Sequence, residues 1–157
     1  MAKQICSYKT MLHESGTPYL IQEASYPADP LRPYHTPDDL ARFILDYLQI
    51  QYCAEEYVYG ICLDTNCHII AVFQASHGNV NTSLVSNREI LQKALLLGAV
   101  SLALTHNHPS GSLIPSDLDI AATKSLKEAC SLLGISLLDH IIVSRNGWLS
   151  LKNDGLF

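Results

Sequence analysis

Apolar residues along the chain occur in short runs separated by polar, glycine-containing and proline-rich segments, a pattern typical of interleaved strands and helices. Runs rich in β-branched and aromatic residues predict strands at 57–63, 68–74, 99–105, 135–144 and 148–151. Apolar residues spaced three or four apart predict three helices, which begin at the caps Thr36, Ser86 and Ser116 and end near Leu48, Leu97 and Leu133. The alternation predicts an α/β fold, a single domain whose mixed β-sheet is sandwiched by helices.

The first 35 residues differ in composition from the rest. Five of the seven prolines lie between residues 18 and 37. Because proline lacks a backbone N–H and has a restricted φ angle, we expect neither a helix nor a central strand in this segment. We therefore predict a proline-rich N-terminal arm at 1–35, extended over the domain or over a partner, followed by the folded domain at 36–157.

The overall composition excludes two broad classes of protein. With 48% hydrophobic and 16% charged residues, the chain is too apolar to be intrinsically disordered. Its longest nearly apolar run, Ala94 to Leu104, is shorter than the roughly 18 to 20 residues that span a bilayer. The N-terminus also lacks the apolar segment of a secretory signal. We therefore expect no membrane partner and a cytoplasmic location.

The charged residues argue against a nucleic-acid partner. Ten lysines and arginines are scattered along the chain and are outnumbered by fifteen acidic residues, which leaves a formal net charge of -5. Nucleic-acid-binding proteins normally concentrate positive charge in a stripe that contacts phosphates. The five cysteines, an odd number without a C-x-x-C pair, also argue against a disulfide framework.

The densest group of chemically active residues follows the predicted strand at 99–105. His106 and His108 are two residues apart at the end of that strand, so their imidazoles are expected to point to the same face of the sheet. Asp119 falls in the first turn of the helix that Ser116 caps. Two imidazoles and a carboxylate are a known zinc-ligand set that leaves a fourth position for water. Ordinary polar residues at a strand end and a helix cap are the alternative.

Other metal motifs fit this segment poorly. The string His-Asn-His occurs in a class of metal nucleases, but those enzymes distribute their histidines over a hairpin and a helix. The zinc-deaminase pattern and the metalloprotease string H-E-x-x-H are both absent from the sequence.

A longer motif around the two histidines resembles a known family. The pattern H-x-H, ten residues and D, with serine three residues before the aspartate, resembles the JAMM (MPN+) metalloprotease signature, and HNHPSG-xxx-PS-xx-D resembles its RadC-like branch. The resemblance covers about 36–157, and its further matches are Leu63-Asp64, Asn81, Ser83, Val85, Arg88-Glu89, Leu126-Lys127-Glu128-Ala129 and Leu137-Leu138-Asp139-His140. It implies a JAMM/MPN-like fold, with the α-β-α layering that is also found in cytidine deaminases.

The chain departs from this branch at two places. Ser86-Asn87 stands where the branch usually has His-Pro or Tyr-Pro before Arg-Glu. Nothing in 1–35 resembles the helix-hairpin-helix DNA-binding module that many members carry. The family's traditional DNA-repair label therefore does not follow from the metal motif.

The resemblance implies a zinc-dependent hydrolase, a JAMM-type metallopeptidase acting on a peptide, an isopeptide or a small amide. Zn²⁺ would be held by His106, His108 and Asp119, with a zinc-bound water as the nucleophile. The general base would be a glutamate near the start of the first domain strand, where the family's register favours Glu56 over Glu55. Ser116 would donate a hydrogen bond to the oxyanion.

Several alternatives stay open at this stage. The chain could be a non-catalytic interaction module of the same fold or a DNA-repair-associated protein, and it could assemble as a homo-oligomer. His140 would either orient a metal ligand or be an ordinary histidine at a strand edge, and we prefer the second interpretation. Asn107 is assigned no chemistry beyond shaping the loop.

Overall fold

Seven strands and three α-helices make up the regular structure of the computed structural model, which describes residues 4–27, 29, 32–78 and 86–157. The strands are β1 (Ile5–Leu12), β2 (Pro18–Tyr26), β3 (Tyr57–Leu63), β4 (Ile69–His77), β5 (Ser101–Asn107), β6 (Ser136–Ser144) and β7 (Gly147–Ser150). The helices are α1 (Pro37–Phe43), α2 (Asn87–Leu96) and α3 (Asp117–Leu132), and a π-helical turn (Ile44–Leu48) and a 3₁₀ turn (Ile50–Tyr52) follow α1. Asn81, Ser83 and Val85, which supported the family resemblance, lie outside the described residues.

The strands form one mixed sheet in the order β2-β1-β4-β3-β5-β6-β7, and helices cover both of its faces. One apolar layer, under α1 and the two turns that follow it, contains Phe43, Ile61 and Ile141. The other, under α2 and α3, contains Phe73 and Leu126. The prediction of an α/β domain with a sandwiched mixed sheet is confirmed.

The interior strand β5 is buried along its whole length. It pairs with β3 on one side and with β6 on the other, and helices cover both faces, so little of its backbone or side chains meets solvent. This agrees with the sequence, in which the apolar run at 99–105 has no polar face. Residues 106 and 107 continue the strand two positions beyond the predicted end.

The N-terminal segment differs from its prediction. Residues 5–26 form a β-hairpin, β1 and β2, and β1 pairs in parallel with β4. We expected an extended arm with neither a helix nor a central strand; the segment instead pairs as two strands, and its prolines occupy positions that strands tolerate. Pro18 is the first residue of the edge strand β2, and Pro27 follows its last residue. The domain boundary at residue 35 stays a prediction.

The connection β5-α3-β6 and the antiparallel pairing of β3 with β5 bring several strand ends together at one end of the sheet. Val58 near the start of β3 pairs with His106 near the end of β5. The loop from β5 into α3 begins at this same edge. Side chains from the start of β3, the end of β5 and the first turn of α3 therefore converge there. No helix in the described part of the chain is long and apolar enough to cross a bilayer.

Candidate metal centre

Two histidines project from the end of β5 to the same side of the sheet, as the period of a strand requires. The Nε2 atoms of His106 and His108 are 2.9 Å apart, and the ring centroids are 4.7 Å apart. The His106 side chain is buried, whereas that of His108 is 12% exposed and thus open to the solvent side. His108 Nδ1 is 3.1 Å from the carbonyl oxygen of Ser112. A carbonyl only accepts, so His108 Nδ1 donates and its Nε2 faces His106.

Asp119, in the first turn of α3, completes the group. Its carboxylate oxygens lie 3.6 Å from His106 Nε2 and 3.8 Å from His108 Nε2. The three ligand atoms all lie within 4.8 Å of one another. Among the described residues, no other group of three or more His, Cys, Asp or Glu side chains could hold a metal ion in this way. Two imidazole nitrogens and a carboxylate are the donor set that suits zinc, so the residues fit the ion that the motif implies.

The protonation states of the group follow from its surroundings. Burial lowers the pKa of His106 to about 4, so this imidazole is neutral at neutral pH. Burial works to raise the pKa of Asp119, but the neighbouring imidazoles of His108 and His106 and the hydrogen bonds from Ser116 outweigh it and hold the pKa well below its usual range. The carboxylate is therefore ionised, as a metal ligand must be.

Ser116 is the N-cap of α3 and forms a capping box with Asp119. Its Oγ accepts a hydrogen bond from the Asp119 N–H at 3.1 Å. Its hydroxyl also donates to Asp119 Oδ2 at 2.7 Å, and its backbone N–H donates to the same oxygen at 2.8 Å. The cap thus fixes the orientation of the carboxylate that faces the two histidines.

The two candidate glutamates, Glu55 and Glu56, differ in their surroundings. The Glu55 carboxylate pairs with His77 across the β3–β4 hairpin and is 61% exposed. The pKa of His108 is raised chiefly by the neighbouring Asp119 carboxylate, and the charge of Glu56 adds a smaller contribution in the same direction. Of the two, Glu56 is the one whose charge acts on a candidate ligand, and its role stays a prediction.

Asn107 holds the segment that carries these glutamates. Its Oδ1 accepts the Tyr57 N–H at 2.7 Å, and its Nδ2 donates to the Glu55 carbonyl oxygen at 2.9 Å. Because alternate residues of a strand face opposite sides of the sheet, this side chain leaves β5 on the face opposite to the histidines. Asn107 was assigned no chemistry from the sequence. A signal was present, since a polar residue inside a buried strand must find hydrogen-bond partners.

His140 also contacts the group, so its expected position at a strand edge was wrong. It lies on β6, an interior strand, and its Nε2 is 2.7 Å from His106 Nδ1. The register pairs His140 with Leu104, two residues before His106 and on the same face. On its other side, His140 Nδ1 is 2.6 Å from Thr123 Oγ1 of α3. Thr123 was not identified from the sequence.

Comparison with known proteins agrees with the motif. The model of the RadC-like JAB domain matches residues 34–156. A UPF0758 protein of Finegoldia magna is 45% identical over 121 residues, which are 77% of this chain and 53% of that protein. A UPF0758 protein of Desulforudis audaxviator is 39% identical over 122 residues, 78% of this chain and 52% of that protein.

A third relative matches nearly the whole chain. The UPF0758 protein of Clostridium novyi is 33% identical over 156 residues, 99% of this chain and 60% of that protein. The chain thus spans about half the length of the curated relatives it matches. The family model covers β3 and β5, the histidine pair and Asp119. The chain therefore belongs to the RadC-like JAB domain family of the JAMM/MPN superfamily.

Proposed function

We propose that this domain is a zinc-dependent hydrolase of the JAMM type that cleaves an amide bond in a peptide, an isopeptide or a small amide. The observation that carries the proposal is the convergence of two imidazole nitrogens and one carboxylate oxygen within 4.8 Å. His106 and His108 would hold the ion through Nε2, and Asp119 would hold it through a carboxylate oxygen. A zinc ion bound there supplies a Lewis acid that polarises a carbonyl and lowers the pKa of water to about 7.

Glu56 is the proposed general base. It takes a proton from the attacking water and delivers it to the leaving amine, the role that a carboxylate beside the reacting centre can fill. The electrostatic effect of Glu56 on His108 supports its placement beside the site, and Asn107 fixes the residues on both sides of it. Glu55 is occupied by His77 and is not needed for this step.

Ser116 is the proposed oxyanion donor. Its hydroxyl now donates to Asp119 Oδ2, so it must rotate toward a substrate carbonyl oxygen and give up that bond. The cap survives this rotation because Oγ can still accept the Asp119 N–H. One such donor contributes about 3 to 4 kcal/mol of transition-state stabilisation in enzymes of this general kind.

Zinc content and hydrolysis together test the proposal. Protein purified from zinc-supplemented cells should contain about one zinc ion per chain by mass spectrometry of the metal. His106→Ala and Asp119→Ala should lose it, whereas the exposed His35→Ala variant should keep it. Hydrolysis is then followed by peptide mass spectrometry on a panel of linear peptides, isopeptide-linked peptides and small amides. A folded wild-type protein that takes up no zinc would eliminate the proposed function.

A further inference from the structure

A chain of buried hydrogen bonds joins the two elements that carry the candidate metal ligands. Thr123 Oγ1 lies 2.6 Å from the backbone carbonyl oxygen of Asp119 and 2.6 Å from His140 Nδ1. His140 Nε2 lies 2.7 Å from His106 Nδ1. Thr123, His140 and His106 are each at most 4% exposed, so water does not compete for these bonds.

The direction of each hydrogen bond follows from the Asp119 carbonyl oxygen, at which this series of bonds begins. The Asp119 carbonyl oxygen only accepts, so the single hydroxyl proton of Thr123 is donated to it. The Thr123 oxygen can then only accept from His140, whose proton must be on Nδ1. A neutral imidazole carries one N–H, so His140 Nε2 accepts the proton that His106 holds on Nδ1. His106 Nε2 is left unprotonated and faces His108 and Asp119.

We propose that Thr123 and His140 are positioning residues that fix the tautomer and the ring orientation of His106, so that Nε2 is the atom offered to the metal. The inference rests on the proposed zinc site and adds two residues that do not contact the ion themselves. Partners of this kind, which receive the second N–H of a ligating histidine, typically change metal affinity about 10- to 100-fold when removed.

The two histidine ligands depend on different kinds of partner. His108 Nδ1 donates to the backbone carbonyl of Ser112, an acceptor that no side-chain substitution removes. His106 depends instead on side chains from β6 and α3. Without the Thr123 hydroxyl, His140 is free to carry its proton on Nε2, toward His106 Nδ1. His106 must then break that contact or move its own proton to Nε2, and either change removes a correctly oriented lone pair from the site.

A matched pair of variants separates the hydroxyl from the packing of Thr123. Thr123→Val keeps the shape and loses the hydroxyl, whereas Thr123→Ser keeps the hydroxyl and loses a methyl group. Zinc affinity is measured by competition with a chromophoric chelator, after far-UV circular dichroism has shown that each variant is folded. Thr123→Val should bind zinc about 10- to 100-fold more weakly. Thr123→Ser should bind close to wild type. If Thr123→Ser loses as much affinity as Thr123→Val, or neither loses any, the proposal is wrong.

The tautomer of His106 can also be measured directly, without a substrate. Long-range ¹H–¹⁵N NMR spectra of the metal-free protein at neutral pH should show His106 protonated on Nδ1 in the wild type and in Thr123→Ser. Thr123→Val should give a mixture of tautomers, an effect that loss of packing alone does not produce. A wild-type His106 protonated on Nε2 would overturn the inference even if Thr123→Val failed to fold.

The outcomes distinguish this inference from the proposed function. If the wild type binds zinc and hydrolyses an amide but Thr123→Val behaves like it, only the role of Thr123 and His140 is wrong. If the wild type binds no zinc, the proposed function fails, and the NMR spectra still decide whether Thr123 and His140 set the tautomer of His106.

Discussion

Asn107 lies between two candidate metal ligands, yet its side chain acts on the strand next to it. The backbone N–H of Tyr57 and the carbonyl of Glu55 both depend on this amide. Asn107→Ala removes both partners, and each polar group left unsatisfied in this half-buried segment costs at most about 1 to 3 kcal/mol. We expect a lower free energy of unfolding in urea and a large loss of hydrolysis, with zinc still bound. The exposed Asn153→Ala variant is the control, and equal losses in both variants would contradict the role of Asn107.

Glu55 and Glu56 are adjacent in sequence but differ in their surroundings. Glu56→Gln removes the proposed base without changing its size, so hydrolysis should fall about 100- to 10,000-fold while zinc content is unchanged. Glu55→Gln removes only the partner of the exposed His77 and should leave both properties near wild type. The comparison is made on whichever amide the wild type cleaves, by the initial rate. Full activity in Glu56→Gln, or its loss in Glu55→Gln, would assign the base differently.

Much of the candidate site could be predicted from single residues, and the exceptions have physical reasons. The two-residue spacing of His106 and His108 and the cap at Ser116 are local features that determine where these side chains point. The contact of His140 with His106 depends on the register between β5 and β6, which no local pattern specifies. The sequence also did not reveal which group accepts the hydrogen bond of the Ser116 hydroxyl. The Asp119 carboxylate can either accept that bond or bind an ion, and local spacing does not distinguish the two.

The loop between β5 and α3 is held by the turn between β6 and β7. Ser144 Oγ and Asn146 Nδ2 donate to the Gly111 carbonyl oxygen at 3.2 and 2.9 Å. Gly111 has a φ angle of +87°, and a Cβ there would lie 2.9 Å from Asn146 Nδ2. Glycine is therefore needed at this position both for its conformation and for the close approach of the turn.

Gly111→Ala tests this loop. Gly134 follows α3 with a φ angle of +69°, and a Cβ added there would have nothing within 4 Å, so Gly134→Ala shows the cost of the conformation alone. That cost is about 1 to 2 kcal/mol. Gly111→Ala should lose more stability in urea unfolding, because Asn146 must also move. It should also weaken zinc binding, since the displaced loop supplies the Ser112 carbonyl to His108. Equal losses of stability in Gly111→Ala and Gly134→Ala would show that the close approach of Asn146 to Gly111 does not matter.

The regular elements of the 36–157 segment were more predictable than the N-terminal segment. The bounds of β3 agree with the apolar run from Tyr57 to Leu63, because a turn begins directly after it. The first helix stops being α-helical at Phe43 and continues as a π turn, a change that side-chain spacing does not reveal. The position of β1 beside β4 was missed because that pairing joins residues far apart in sequence.

The first residue of the hairpin packs into the molecule's core, although the hairpin precedes the region that matches the family model. Ile5 is fully buried among Tyr34, Phe43 and other core residues, whereas Leu12 at the other end of β1 is 66% exposed. Ile5→Ala should therefore reduce the free energy of unfolding by about 2 to 5 kcal/mol. Leu12→Ala should change it little. If the two variants unfold at the same denaturant concentration, β1 contributes no more than an arm would.

The candidate site also links distant parts of the whole molecule, because its ligands come from β5 and α3 and the residues that orient them come from β6 and the β6–β7 turn. An ion that binds only the folded chain stabilises it by mass action, by about 2.7 kcal/mol at one hundred times its Kd. Zinc should therefore raise the thermal midpoint of the metal-free protein, and a chelator should reverse the rise.

Two controls make the zinc effect specific. Magnesium prefers six oxygen ligands and should not raise the midpoint, because the site offers two nitrogens and one carboxylate. Asp119→Asn keeps the shape of the side chain but removes its charge, so zinc should stabilise this variant less than the wild type. Differential scanning fluorimetry measures all of these midpoints. A rise of the same size in Asp119→Asn would mean that zinc stabilises the protein by binding at another site, because the proposed site should bind zinc more weakly without the Asp119 carboxylate.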